Sequence, residues 1–397
     1  MIFLFGYYFL YSYSYIKNIK LIIRNEMKVL LFSDPSSSHT IKWANGLAER
    51  GIEVVVYGFS TFSKINYSDQ IRVATSSRIG DETKAKQDGA FEKIAYFSLL
   101  SEIKNVIEFE KPDILHAHYG SSYGLIGALS GFHPFIVSYW GSDLFTFAKK
   151  NIFCKYLTKL VCIKSDAITV TSHYLADELK KYTYKNAFVI PFGIDLNKFK
   201  FKERSIENSE TIVIGIVKLL KDIYGIKILL DAFNLVLKKY DANKIKLLIV
   251  GEGIKRNEYE LMANKLGISK FVEFTGLVHP TNIMDYYDKI DLAVFPSYEE
   301  SFGVALLEAM ACGIPVIASN IAAFKEIFKD GDVGDLVPPQ DAKGYAERII
   351  FYLENPQYYF RKHKQTRMHV EKYYSLPENI SAMIKVYEST IEEKFST

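Results

Sequence analysis

The 397-residue chain has few cysteines: only Cys154, Cys162 and Cys312, with no CxxC pair. An odd number without paired spacing excludes a disulfide scaffold and suits a reducing compartment, so a cytoplasmic location is expected. Neither sign of charge dominates: Lys+Arg 49 against Asp+Glu 46 leaves a net +3. That balance excludes a nucleic-acid binder built on a dominant basic field. No apolar run reaches the roughly 20 residues that span a bilayer. The nearest, Met1–Ile16, is broken by Tyr and Ser, and it lacks a signal peptide's basic start and small-residue cleavage site. No His/Cys cluster has metal-ligand spacing, the Asp-Gly-Asp at 330–332 reads as a turn, and no internal repeat is visible. Tryptophan is scarce, at 2, yet 28 Tyr and 28 Phe bring the aromatic share to 15%, so some rings are expected at the surface.

Hydrophobic residues make up 49% and charged residues 24%, which is ordinary for a globular chain with substantial cores. At about 150 residues per domain, two or three domains are expected. Short β-branched runs alternate with helical segments: Val29–Phe32, Val54–Tyr57, Ile114–Ala117, Phe135–Tyr139, Ala167–Val170 and Ala187–Ile190, then Thr211–Val217, Ile245–Val250, Val272–Thr275, Leu292–Pro296 and Pro315–Ala318. The alternation predicts α/β architecture with parallel sheets flanked by helices. A helix over Thr40–Arg50 should close at Gly51. Residues 1–26 read as an extension or a poorly packed helix ahead of a folded unit that starts at Met27, with a membrane-associated helix as the alternative. The charged stretch Phe199–Glu210 reads as the linker, dividing a first domain, 27–200, from a second, 201–376. A C-terminal helix over 377–397 is expected to pack back on the first domain. Two doubly wound sheets would face a cleft, with ligands beyond the carboxyl ends of the strands.

The segment from Phe295 to Ser319 is the most informative. A buried strand ends at Pro296, a loop carries Glu299–Gly303, and a helix begins near Gly303 and stops at Cys312–Gly313. Amides at Phe302, Gly303 and Val304 would form a helix N-terminus, a natural anion site, and Gly303 would let a ligand approach the backbone. Glu300 and Glu308 would lie about 12 Å apart on a continuous helix, further than the roughly 5–9.5 Å of a glycosidase pair, and so suit two ends of one elongated ligand. Taken singly, Glu300 reads as a solvated loop residue and Glu308 as a helix-surface charge.

The string Glu300-Ser-Phe-Gly-(four residues)-Glu308-Ala-Met-Ala-Cys-Gly resembles the E-x7-E signature of retaining GT-B glycosyltransferases of family 4. Val250-Gly-Glu-Gly253, Phe274-Thr-Gly276, Pro191-Phe-Gly-Ile-Asp195 and Gly331–Pro339 extend the resemblance, and His116-Ala-His-Tyr-Gly120 with Ser138–Asp143 is similar to the subset that builds bacterial surface polysaccharides. The resemblance implies two Rossmann-like domains and a nucleotide-diphosphate sugar donor as substrate, with no cofactor and no metal. It places the ribose on Glu308, the transferred sugar on Glu300 with Ser301, Phe302 and Gly303, and the diphosphate at the helix start through Val304. Relatives carry a cation just after the first strand of the second domain, which is Lys218 here, and a Lys five residues later, where Ile223 stands. Lys221, on the same loop, could reach the phosphates instead. Relatives also carry paired glycines where Ala322 and Ala323 stand.

In the first domain Ser37 and Ser38 could offer amides to the diphosphate or simply cap a helix, and His39 is placed on the acceptor side. His118 is read as a sugar or acceptor contact, and His116 as a packing residue pointing to the opposite face. Asp143 is an acceptor-side candidate, about equally an Asx turn former. Lys149, Lys150, Lys155, Lys159 and Lys164 occur with no acid between Asp143 and Asp166 and are interleaved with aromatics. That run suits docking on anionic lipid as well as it suits a solvated helix face. The resemblance implies transfer to a glycan or lipid-linked acceptor. A nucleotide-sugar epimerase on a similar scaffold and a catalytically silent glycan- or nucleotide-binding partner remain open as alternatives.

Overall fold

The computed structural model describes residues 27–76, 99–207, 209–329 and 332–396. The 1–26 extension lies outside them, as does most of the Asp-Gly-Asp turn. The chain divides into two units: residues 1–191 together with 377–397, and residues 192–376.

In the first unit, described strands β1 (Lys28–Phe32), β2 (Glu53–Gly58), β3 (Arg72–Thr75), β4 (Ile114–His118), β5 (Phe135–Tyr139), β6 (Ala167–Val170) and β7 (Phe188–Val189) form one parallel sheet in the order β3-β2-β1-β4-β5-β6-β7. In the second, β8 (Ile212–Val217), β9 (Ile245–Val250), β10 (Val272–Phe274), β11 (Leu292–Phe295), β12 (Val316–Ser319) and β13 (Asp335–Val337) run parallel in the order β10-β9-β8-β11-β12-β13. Both sheets are doubly wound, as the alternation of strands and helices implies. Their central strands are near-continuous Val, Ile and Leu because helices cover both faces. Each unit has one switch point, where the chain stops adding strands on one side of its first strand and begins on the other. These points lie between β1 and β4 and between β8 and β11. The short edge strands β3 and β13 were not legible as strands, since RVAT and DLV carry polar residues that an outer edge tolerates.

The unit boundary falls at Pro191, earlier than position 200, and the expected linker is packed structure. Phe199 and Ile206 are buried. The Arg204 guanidinium is buried too and donates to the carbonyls of Tyr287 and Asp288. A charged, aperiodic sequence looked solvated because those acceptors come from 83 and 84 residues away. Where the chain enters and leaves the second unit, Ile194 and Ser375 pair as parallel strands, with Ile194 N donating to Tyr374 O and Leu376 N to Ile194 O.

The helix Leu376–Ser396 belongs to the first unit from Pro377 onward. Its Tyr387 reaches His116 Nδ1 at 2.7 Å, in the core, and its Ile380 fills the space that glycine leaves at Gly46. His116 Nε2 meets Ser138 Oγ at 2.7 Å. His118 Nδ1 meets Ser33 Oγ at 3.0 Å, and Ser33 in turn meets Thr40. The expectation that His116 and His118 point to opposite faces is wrong. Their rings lie 4.5 Å apart, because a strand alternates with period two and residues i and i+2 share a face.

Burial lowers the His116 pKa to about 3 and pushes that of His118 well below the ordinary range, helped there by the neighbouring His116 and His39. The unfolded chain therefore takes up protons that the fold refuses, and stability must fall as pH drops below about 6.5, by up to ~1.4 kcal/mol per unit for each histidine. Asp143 opposes this: burial raises its pKa to about 6, so the folded form is the one that gains that proton below pH 6. Melting at stepwise lower pH should show a net decline below pH 6.5 that is shallower in His118→Asn. A flat profile would refute neutral burial of the pair. Tyr387→Phe should cost about 1–3 kcal/mol in urea denaturation by leaving His116 short of a partner.

Candidate functional site in the second unit

Lys218 follows β8 directly and Glu300 lies on the loop after β11, so both flank the switch point of this sheet. Ligands in open α/β sheets bind at such crevices, beyond the carboxyl ends of the strands. The structure brings the two side chains together: Lys218 Nζ lies 2.5 Å from Glu300 Oε1, with side chains only 12% and 8% exposed. Ser297 Oγ donates to the same carboxylate oxygen at 3.1 Å, and the ammonium sits 4.6 Å from the Tyr224 ring centroid. Burial, and then the Glu300 charge, raise the Tyr224 pKa, so the phenol stays neutral beneath the cation. A buried pair of this kind is costly to break by removing one partner, which holds both groups in place before any ligand arrives.

Local backbone explains how the two loops meet. Gly225 adopts φ +68° with its Cα against Pro296 O, where a Cβ would sit only 2.1 Å from that oxygen. Tyr298 N donates to Ile223 O at 2.7 Å. The β8 loop is thereby stitched to the β11 loop. Ile223, at the position where relatives carry a lysine, contributes its carbonyl to this seam. Lys221 is exposed and has no ion-pair partner among the described residues.

The helix after the loop is Val304–Ala311, so Glu300 lies outside it and the 12 Å spacing of a continuous helix does not apply. The first N–H groups of that helix lack intrahelical acceptors, as at every helix start. Gly303 stands at its N-cap with φ +106°. A side chain there would strike Phe324 and Ile327 at 2.8 and 3.1 Å, so this glycine serves a left-handed turn and packing against the helix Ala322–Phe328 rather than room for a ligand. Ala323 is buried at the start of that helix, where relatives carry glycine. Glu308 accepts a 2.8 Å hydrogen bond from Tyr287, whose hydroxyl also approaches Ala305 O. Tyr287 is fully buried, and burial with the Glu308 charge lifts its pKa far above the ordinary value. It is therefore a permanent donor that orients one carboxylate oxygen. Sequence reasoning missed Tyr287, Tyr224 and Ser297. Each lies in an unremarkable stretch, and only the fold places it against a named glutamate or lysine.

The first-unit candidates gather around the other switch point, with mixed roles. Ser36, not Ser37, makes the side-chain contact, to Asp34. Ser37 occupies the N-cap of the helix Ser38–Ala48 without a side-chain capping bond, and Ser38 is exposed. His39 packs edge-on to Trp140 at 5.6 Å, and burial, with Lys42 nearby, lowers its pKa to about 3. His118 is buried beneath Trp140, ring centroids 4.7 Å apart. Asp143 is fully buried and accepts from the amides of Gly120, Trp140 and Gly141 at 2.8–3.3 Å. It braces the loops after β4 and β5, which is the Asx-type reading rather than an exposed acceptor contact. Among the described residues no three His, Cys, Asp or Glu side chains come together as metal ligands would.

Comparison with known proteins agrees with this architecture. The family model "Glycosyl transferases group 1" matches residues 197–372, and "Glycosyl transferase 4-like" matches 28–172. An uncharacterized glycosyltransferase of Methanocaldococcus jannaschii is 30% identical over 64% of this chain and 69% of its own length. The N-acetyl-alpha-D-glucosaminyl L-malate synthase of Bacillus anthracis is 26% identical over 79% of this chain and 84% of its own. Among solved structures, sucrose-phosphate synthase from Thermosynechococcus elongatus superposes with a TM-score of 0.79 at 20% identity, covering 93% of this chain and all of that one. HepE of Anabaena, in complex with UDP-glucose, superposes with a TM-score of 0.73 at 17% identity, covering 92% of this chain and all of that one. With two doubly wound units, a matched family model on each, and a relative of this similarity, the chain belongs to the group 1 glycosyltransferases of GT-B fold.

Proposed function

We propose that the protein is a retaining glycosyltransferase that moves a hexose-type sugar from a nucleotide diphosphate to a glycan or lipid-linked acceptor in polysaccharide assembly, without a metal, at the cytoplasmic face of the membrane. The observation that carries this reading is the buried Lys218–Glu300 pair at the β8/β11 switch point, beside the start of the helix Val304–Ala311. Breaking the sugar–phosphate bond leaves negative charge on the diphosphate. A preorganised ammonium and a set of helix-start amides are the groups that stabilise it. Glu300 orients the transferred sugar and tethers Lys218. Glu308, held by Tyr287, accepts from the ribose hydroxyls. The acceptor hydroxyl attacks on the face from which the diphosphate departs, and a phosphate oxygen takes its proton, so no side-chain nucleophile is required. The UDP-glucose bound by HepE supports a UDP-sugar as the first donor to try.

The Ile223 and Ala322–Ala323 departures support a second reading, a silent partner that binds nucleotide without turning it over. An epimerase would convert donor with no acceptor present. The test is a panel of UDP-sugars assayed with and without acceptors. The acceptors include L-malate and inositol 3-phosphate, after relatives whose names carry these groups, alongside lipid-linked glycans. Acceptor-dependent release of UDP, with the product keeping the donor's anomeric configuration by NMR, is the expected result. Binding without turnover would identify the silent partner, and inversion would remove the retaining assignment.

Lys218→Gln and Glu300→Gln should each lower kcat about 10²–10³-fold in protein shown by circular dichroism to be folded. Wild-type turnover in Lys218→Gln would overturn the reading. Tyr287→Phe should raise the donor KM several-fold with little change in kcat, since it acts through the ground-state orientation of Glu308. A kcat loss as large as that of Lys218→Gln would place it in the chemistry instead.

A further inference from the structure

In the first unit the helix Ile152–Lys164 presents an unusual outer face. Cys154, Leu157, Val161 and Cys162 hold its inner side in the core. At about 100° per residue, the outward pole falls on Ile152, Tyr156 and Ile163, which lie within about 40° of one another. They are 81%, 66% and 67% exposed. Lys155 and Lys159 flank this stripe on one side, and half-exposed Phe153 with Lys164 on the other; all three lysines are exposed. Lys149 and Lys150 precede the helix, and the fully exposed Tyr184 lies in the turn whose Lys185 caps the helix carbonyls of Ile163 and Ser165. The acids nearby are engaged: Glu178, nearly buried, pairs with Lys149 and Lys181, Asp177 pairs with Lys180, and Asp166 accepts from His133 and the Phe135 amide.

A merely solvated helix puts its charges at the pole and its apolar residues toward the core. Here the residues farthest from the core are apolar and the lysines form their rim. We infer that this face docks on an anionic lipid bilayer, with Ile152, Tyr156 and Ile163 entering the headgroup–acyl boundary and Lys155, Lys159 and Lys164 meeting lipid phosphates. The stripe distinguishes this partner from a nucleic acid, whose phosphate backbone would gain nothing from two exposed isoleucines. The inference stands apart from the donor site and holds whichever sugar is transferred.

The full chain is sedimented with phosphatidylcholine vesicles and with vesicles that also contain phosphatidylglycerol, at low and high salt. Binding to the phosphatidylglycerol vesicles that weakens with salt is expected. Lys155→Gln/Lys159→Gln/Lys164→Gln should reduce partitioning about a hundredfold, at roughly fivefold per lysine. Ile152→Ser/Tyr156→Ser/Ile163→Ser should reduce it at least about tenfold. All six side chains are exposed, so melting temperatures should match the parent and show that the fold is intact. Absence of binding at low salt, equal binding to both vesicle types, or substituted chains that bind like the parent would each overturn the docking face. So would retention of a duplex oligonucleotide without any vesicle binding, or of an acidic protein in place of lipid.

Discussion

A lysine and a glutamate that are almost out of water, 2.5 Å apart, hold together the loops at the carboxyl edge of the second sheet. Each alone would be expensive to bury, and each makes the other tolerable. The pair can exist only because β8 and β11 are neighbours that the chain reaches from opposite directions, which opens a crevice between their following loops. Gly225 against Pro296 and the Tyr298–Ile223 hydrogen bond close the seam beneath it. The electrostatics of the candidate site are thus a consequence of sheet topology. A cation fixed at a switch point beside a helix start is suited to an anionic leaving group before any substrate binds.

The same topology produces a different kind of site in the first unit. There the β1/β4 switch point is lined by neutral histidines, a serine–threonine contact and an aspartate bound by backbone amides. Burial keeps the histidines of this switch point neutral, whereas the switch point of the second unit holds a buried ion pair. The C-terminal helix contributes to that state, because Tyr387 satisfies one nitrogen of His116 from more than 250 residues away. Stability of the first unit and the protonation of its switch point are therefore linked through a segment the chain adds last.

The strand–helix alternation was legible because buried parallel strands are written as apolar runs, and all the central strands were found within a residue or two of their ends. The edge strands β3 and β13 were not, since RVAT and DLV are short and broken by polar residues, unlike the edge strands β7 and β10. The packed stretch around Arg204 was mistaken for a linker for a related reason: charge and lack of period signal solvent only when no distant carbonyl is waiting to accept. No helix among the described residues is long and apolar enough to cross a membrane.

Local order along the chain sufficed to give the class of fold and the location of the informative loop, because both follow from residue type and nearby spacing, whereas Lys218, Glu300 and Glu308 were singled out only by the resemblance to family 4 glycosyltransferases. What those side chains touch was decided only in three dimensions. Tyr287 under Glu308, Tyr224 under Lys218, the filling of the Gly303 niche by Phe324, and the shared face of His116 and His118 all join residues through sheet register and helix packing. The lysine run gave its charge to inspection. That its outermost pole is apolar required knowing which side of the helix the core had already claimed.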